Sequence, residues 1–288
     1  MARRPHFGDE PMSRLAVWSS RMGWFALAVA AMSVVIVRSG LLEIVPAVIT
    51  FAAALACAAL AILLAFAAFV VIWRQGLRGL GRSFLGLFLG LALLGYPGYL
   101  GYRASKLPNI WDITTDPVNP PRFDTLARLR PRGTSAYGGT QLAEKQHAAY
   151  PEVVPLQLDL PPRTVYELAL ALANKRKWLV LDARAPAPPG RRDGVIEAVA
   201  RTTIMGFRED MVIRVSPLGA GSRVDMRSAS RYGFHDFGSN AARVRNLLED
   251  LDEAASNAPE PRAEPEPRRP QQPQQRRPPP QQRQPANR

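Results

Sequence analysis

Three uncharged apolar runs fill the first third of the chain. "MGWFALAVAAMSVVIV" lies between Arg21 and Arg38, "IVPAVITFAAALACAALAILLAFAAFVVIW" between Glu43 and Arg74, and "SFLGLFLGLALLGYPGYLGY" between Arg82 and Arg103. A helix needs roughly 20 apolar residues to cross the hydrocarbon layer, so the second and third runs qualify outright. The first is short, and Arg21 and Arg38 would have to snorkel at its ends. A cleaved signal peptide is the competing reading of that run, set against its long basic leader and the longer apolar run that follows. Residues 1–106 are expected to form a three-helix transmembrane region.

Beyond Lys106 the pattern changes. "LPNIWDITTDPVNPPRF" is dense in turn formers, which predicts an extended connector over 107–150, lying across the domain it introduces. A short helix is expected near Gln141–Ala149, stopped by Pro151. Over 151–256 the periods alternate between two and 3.6. "VVPLQLDL" reads as a strand, and "PPRTVYELALALANKRK" as an amphipathic helix that repeats the apolar residues Val165, Leu168, Leu170 and Leu172. "WLVLDARA", "GVIEAVARTTI", "DMVIRVS" and "SRVDMRSA" then read as four strands. A closing helix near Asn240–Ala255 buries Ala241, Val244, Leu248 and Leu251. The fold class is an α-helical membrane region followed by an α+β domain. That domain holds an antiparallel sheet with two helices on one face, in the order β-α-β-β-β-β-α. Residues 257–288, rich in Pro, Gln and Arg, are expected to be a disordered tail.

Alternation also predicts one register. Setting Val215 opposite Val224 places both apolar sets on one face and puts Arg214 against Asp225, with "LGAG" as the loop. Arg214 and Asp225 are then a structural charged pair on the less apolar face.

Charge changes the picture less than its total implies. The formal net charge is +13, but Lys/Arg stand ten against three Asp/Glu in residues 1–106, twenty against eighteen in 107–256, and seven against three in 257–288. The folded part is nearly neutral, so nucleic acid is not an expected partner. Arg3, Arg4, Arg14 and Arg21 precede the first helix and Arg74, Arg78 and Arg82 separate the second from the third, whereas the first connection holds Arg38. The positive-inside rule puts the N-terminus and second connection in the cytoplasm of a bacterial inner membrane, and three crossings make the C-terminal domain periplasmic. Arg103 and Lys106 oppose this bias, and a first run that failed to span would invert it.

No ionisable Asp, Glu, Lys, Arg or His lies within the apolar runs, which excludes the relay expected of a pump or transporter. Gly86 and Gly90 permit close helix approach, read as packing within the three-helix set. Cys57 is the single cysteine, so no intramolecular disulfide or cysteine-based metal site can form.

Chemistry concentrates in "RSASRYGFHDFGSNAARVR", Arg227 to Arg245. His235 and Asp236 stand near Ser228, Ser230 and Ser239, inviting a hydrolase triad, but adjacent residues seldom place a carboxylate behind an imidazole, and no G-x-S-x-G elbow is present. The scattered His6, His147 and His235 offer no metal-binding spacing. A glycosidase-like pairing of Glu197 with Asp225 stays open. No catalytic residue, metal ligand or cofactor is therefore assigned. Asp236 is the expected cap of the last helix, with Gly233 and Gly238 permitting the turn into it. Arg227, Arg231, Asn240 and Arg243 form the candidate anion or partner site, because guanidinium groups at a helix N-terminus suit phosphate or carboxylate.

"YPEVVPLQLDLPP", "KWLV", "IEAVARTTIMGFREDMVIRV" and above all "VDMRSASRYGFHDFGSNAARVRNLLEDL" resemble the bacterial envelope family known as domain of unknown function 1499, over roughly Ile110 to Leu251. The resemblance implies N-terminal membrane helices joined to such a domain, with no activity assigned. Glu209 departs from the paired aspartates that the resemblance implies after "GF"; its longer carboxylate argues against a catalytic role there. The resulting reading is a membrane-anchored cell-envelope protein whose extracytoplasmic domain binds a ligand or partner, with a hydrolase acting on an envelope substrate as the rival class. The expected partners are the lipid bilayer and an envelope protein or anionic lipid.

Overall fold

The computed structural model describes residues 11–40, 44–130, 134, 137–187, 192–233 and 235–258. The tail expected to be disordered lies, from residue 259 on, outside the described residues. Three helices, α1 (Arg14–Ser39), α2 (Ile44–Gln75) and α3 (Leu80–Lys106), are each long and apolar enough to cross a membrane. The short first run does not limit α1. Its helix starts at Arg14 and runs 26 residues, or about 39 Å at 1.5 Å per residue. Arg21 lies on the exposed surface of that helix, over the Trp18 ring.

Small residues let the three helices close on one another, as bilayer packing requires when hydrocarbon surrounds every side. A Cβ at Gly86 of α3 would collide with Ser19 of α1, and one at Gly90 with Ile62 and the Ala58 carbonyl of α2. Ser19 Oγ also donates to the Ala61 carbonyl at 2.8 Å. Exposed aromatic residues mark both ends: Trp18 and Trp73 at one, Tyr96, Tyr99 and Tyr102 at the other. Amphipathic rings favour the two membrane–water interfaces, so these two sets bracket the hydrocarbon.

Beyond α3 the chain forms a six-stranded antiparallel sheet with helices. In chain order it comprises β1 (Asp112–Thr114), α4 (Thr125–Leu129), α5 (Gly139–Ala149), β2 (Leu156–Leu158), α6 (Pro162–Lys175), β3 (Leu179–Arg184), β4 (Gly194–Arg201), β5 (Arg208–Leu218), β6 (Gly221–Ser230) and α7 (Ser239–Ser256). The sheet order is β1-β6-β5-β4-β3, and β2 pairs with β6 alongside β1. One long strand therefore carries two short ones on its outer edge, β2 against residues 222–224 and β1 against residues 227–229.

Period-two alternation decides what each face buries. Ile196, Met211, Ile213, Val215, Val224 and Met226 point to the side covered by α6 and α7, where Val165, Ala169, Val244, Leu247 and Leu251 meet them. The opposite face carries Glu197, Asp210, Arg214, Asp225 and Arg227 from the same strands, all but Arg214 buried. Residues 111–130 supply partners to this second face.

Over 151–256 the elements keep the expected order β-α-β-β-β-β-α, from β2 to α7. The connector adds β1 to the sheet, because three residues are too few for alternation to register against a turn-rich background. One expectation needs correction. The hairpin pairing runs past "LGAG" as a loop: Pro217 faces Ser222 and Leu218 faces Gly221, leaving Gly219 and Ala220 at the tip. Gly219 takes φ +60°, the positive angle that the first central position of a tight hairpin turn demands.

Candidate functional site

The polar residues of Arg227–Arg245 divide between the two faces of the sheet. On the second face Arg227 binds Asp112 of β1 through two bonds, Nε at 2.9 Å and Nη2 at 2.7 Å, and donates to the Pro121 carbonyl. Its guanidinium lies between the rings of Phe123 and Tyr137, 4.6 and 4.8 Å from their centroids. Burial pushes the Asp112 carboxyl up, and the Arg227 guanidinium opposes that shift. Arg231 donates to Asp210 at 2.8 Å, and Arg130 reaches the other oxygen of the same carboxylate at 2.7 Å. Further along, Asp225 takes Arg214 at 2.9 Å and Arg223 at 3.0 Å, and both cations also meet Asp116. Arg214 stands directly across from Asp225 in the β5–β6 register.

The helix-covered face holds a second network. Arg243 pairs with Glu209 and donates to Ser228 Oγ at 2.9 Å and Asn240 Oδ1 at 2.8 Å. Ser228 Oγ donates to Asn240 Oδ1, and Asn240 Nδ2 donates to Ser230 Oγ and to the Trp111 carbonyl. Ser230 and Ser239 hydroxyls both donate to Glu209. Each fully buried polar group in this cluster thus meets a partner, the condition for burying it without a large penalty.

Asp236 secures the entry to α7. Its two carboxylate oxygens accept the Gly238 N–H at 2.9 Å and the Asn240 N–H at 2.7 Å, satisfying donors that the first turn leaves open. Burial pushes its carboxyl up, and those two N–H groups oppose the shift. The backbone reaches this geometry through Phe237 and Gly238, both at positive φ.

His235 points elsewhere. Its Nδ1 accepts the Phe237 N–H at 2.8 Å, which leaves the proton on Nε2, 3.3 Å from the Ala104 carbonyl at the end of α3. Among the described residues no serine hydroxyl bonds to His235, so a serine–histidine nucleophile has no geometry here. Glu197 and Asp225 do not form a glycosidase pair either. Glu197 accepts the N–H groups of Asp124, Thr125 and Leu126 and so caps α4, while Asp225 is held by two arginines.

An open feature lies where the sheet meets the membrane helices. A cavity of about 670 Å³ is bounded by Ile44 and Val48 of α2, Tyr96, Leu100 and Arg103 of α3, the β4–β5 turn from Arg201 to Arg208, and the entry to α7. Arg231 and Arg243 reach its wall, already paired to acids. Arg103, Arg201 and Arg208 meet no carboxylate within 4.0 Å among the described residues. None of these three was expected at a binding site from the sequence, where Arg103 entered only through the charge bias. A signal was present, since "TTIMGF" between Arg201 and Arg208 is an apolar turn where hairpin tips are ordinarily polar.

The buried pairs set a clear expectation. Asp210→Asn keeps the shape of a fully buried side chain but takes from Arg231 and Arg130 the carboxylate they share, a change expected to cost about 3–5 kcal/mol. Arg245→Ala breaks an exposed pair with Glu152 and should cost about 1 kcal/mol or less. Thermal unfolding of the detergent-solubilised chain measures both, and equal losses would overturn the assignment of the second face as structural.

Comparison with known proteins adds a family and little more. No curated protein matches the chain. Among solved structures, the crystal structure of CalU16 from Micromonospora echinospora is 12% identical, covering 35% of this chain and 83% of that one at a TM-score of 0.17, a likeness too slight to carry any argument. The family model described as a protein of unknown function, DUF1499, matches residues 112–251, from the first residue of β1 into α7. Over residues 112–251 the chain is therefore similar to that family of unknown function, DUF1499.

Proposed function

We propose that this is a membrane-anchored binding protein of the bacterial cell envelope, with its N-terminus cytoplasmic and its sheet domain periplasmic, and that the domain holds a ligand at the membrane-facing cavity. The arginine bias supports the orientation: Arg14, Arg21, Arg74, Arg78 and Arg82 cluster at one end of the helices, while Arg38 and Arg103 lie at the other. One observation carries the binding reading. The cavity is the size of a small-molecule site, has apolar walls and contains cations with no acid partner among the described residues. The alternative of hydrolysis has no comparable support, because Ser228, Ser230 and Ser239 are bonded within the Glu209–Asn240 network.

Orientation is checked by reporter fusions. A reporter active only in the periplasm should function when fused after Phe123 and fail when fused at Gln75; the reverse pattern overturns the topology. Binding is checked by native mass spectrometry of the full chain purified from membranes in mild detergent. The chain should carry a non-covalent adduct, and Ala242→Trp, which fills the cavity wall on α7, should lose it. Adduct-free spectra for both proteins would contradict the reading.

A further inference from the structure

Resting on that binding reading, we infer that the occupant of the cavity is an anionic membrane lipid, its charged headgroup among Arg103, Arg201 and Arg208 and its chains directed along α2 and α3. The position of the cations comes first. Arg103 sits at the end of α3 beside the entry to α7, where a Cβ on Gly238 would lie 3.3 Å from its Nη2. Arg208 approaches the end of α1 from the other side, its Nη2 3.4 Å from a Cβ placed on Gly40. Cations thus flank the cavity where the helices leave the bilayer.

Arg201 and Arg208 also stand directly opposite each other, the last pair of β4 and β5 before the turn. Like charges directly across a strand pair are destabilising, and here neither has a carboxylate partner among the described residues. Arg201 instead donates to the Arg38 carbonyl at 2.7 Å. The two acids on the cavity wall give no relief. Glu209 is committed to Arg243, and Asp236 to the N–H groups of Gly238 and Asn240. An anion placed between the arginines removes this repulsion.

The remaining wall selects a lipid over a free anion. Val48 and Tyr96 line the cavity and are still 40% and 47% exposed, so its apolar side opens on the helix surface that hydrocarbon covers. Tyr96 lies about 10 Å below Arg103 along α3 at 1.5 Å per residue, matching the 5–10 Å depth of the boundary between headgroups and acyl chains. Ile204 and Phe207 extend the apolar wall from the β4–β5 turn. A free phosphate would satisfy the arginines and leave this wall bare.

The test reconstitutes the full chain in mixed phosphatidylglycerol and phosphatidylcholine and reads the lipid retained on release into mild detergent by native mass spectrometry. Phosphatidylglycerol should be retained over phosphatidylcholine. Arg103→Ala with Arg208→Ala should reduce that preference roughly 25-fold, since each arginine near an anionic surface contributes about fivefold. Arg201 is left in place because it also holds the Arg38 carbonyl. Neither substituted side chain has a hydrogen bond among the described residues, and an unchanged melting temperature verifies that the variant is folded. Charge reversal at Arg208→Glu should act in the same direction. Equal retention of the two lipids, or a preference unaltered by the variants, overturns the inference. Displacement of phosphatidylglycerol by millimolar inorganic phosphate would assign the site to a free anion and overturn it as well. Retention of a different molecule that Ala242→Trp abolishes would overturn the lipid while sustaining the binding reading; absence of any adduct overturns both.

Discussion

A carboxylate taken out of water must find a cation or several N–H donors, and the sheet domain is arranged around that requirement. Asp112, Glu197, Asp210 and Asp225 are all essentially inaccessible to solvent. Their partners arrive from far along the chain: Arg227 for Asp112, Arg130 for Asp210, and the backbone of 124–126 for Glu197. Residues 111–130 consequently cannot drape loosely over the sheet. They close its charged face as firmly as α6 and α7 close its apolar one. Replacing such pairs by apolar residues can leave stability unchanged, so their effect is to fix which strand and which turn lie where, more than to add net stability.

That arrangement reassigns most of the chemistry in Arg227–Arg245. Residues that look reactive in sequence are bonded to one another: Ser228 and Ser230 to Asn240, Arg243 to Glu209, Asp236 to the first turn of α7. Among the arginines that border the cavity, Arg103, Arg201 and Arg208 meet no carboxylate among the described residues. Fold and proposed function are therefore connected by subtraction. Buried carboxylates are matched inside the domain, and three arginines with no acid partner among the described residues border a cavity beside the helices. His235 belongs to this junction as well, since it joins the α7 entry to the Ala104 carbonyl of α3.

The sequence was most legible where a long period governs many residues. Uncharged runs specify the three helices, and alternation in "DMVIRVS" and "SRVDMRSA" specifies a hairpin whose apolar sides must coincide. The same alternation sends Glu209 and its neighbour Asp210 to opposite faces, one to Arg243 above and the other to Arg130 and Arg231 below. Short elements were less legible. β1 contributes three residues, and its identity depends on pairing with β6 more than a hundred residues later, which no local pattern encodes. The cavity was hidden for a related reason. Arg103 and Arg208 are distant in sequence, and only the packing of helices against the sheet brings them to one wall.

The domain's buried charges hold the fold together, and its membrane-facing cavity is proposed as the surface that responds to a ligand. Hydrogen exchange of the full chain in nanodiscs separates the two most directly. Changing from zwitterionic to anionic lipid should slow exchange in residues 202–207 and at the entry to α7 around 235–239, and leave the hydrogen-bonded amides of β5 and β6 unaltered. Slowing confined to segments away from the cavity, or no difference between the two bilayers, would contradict the account.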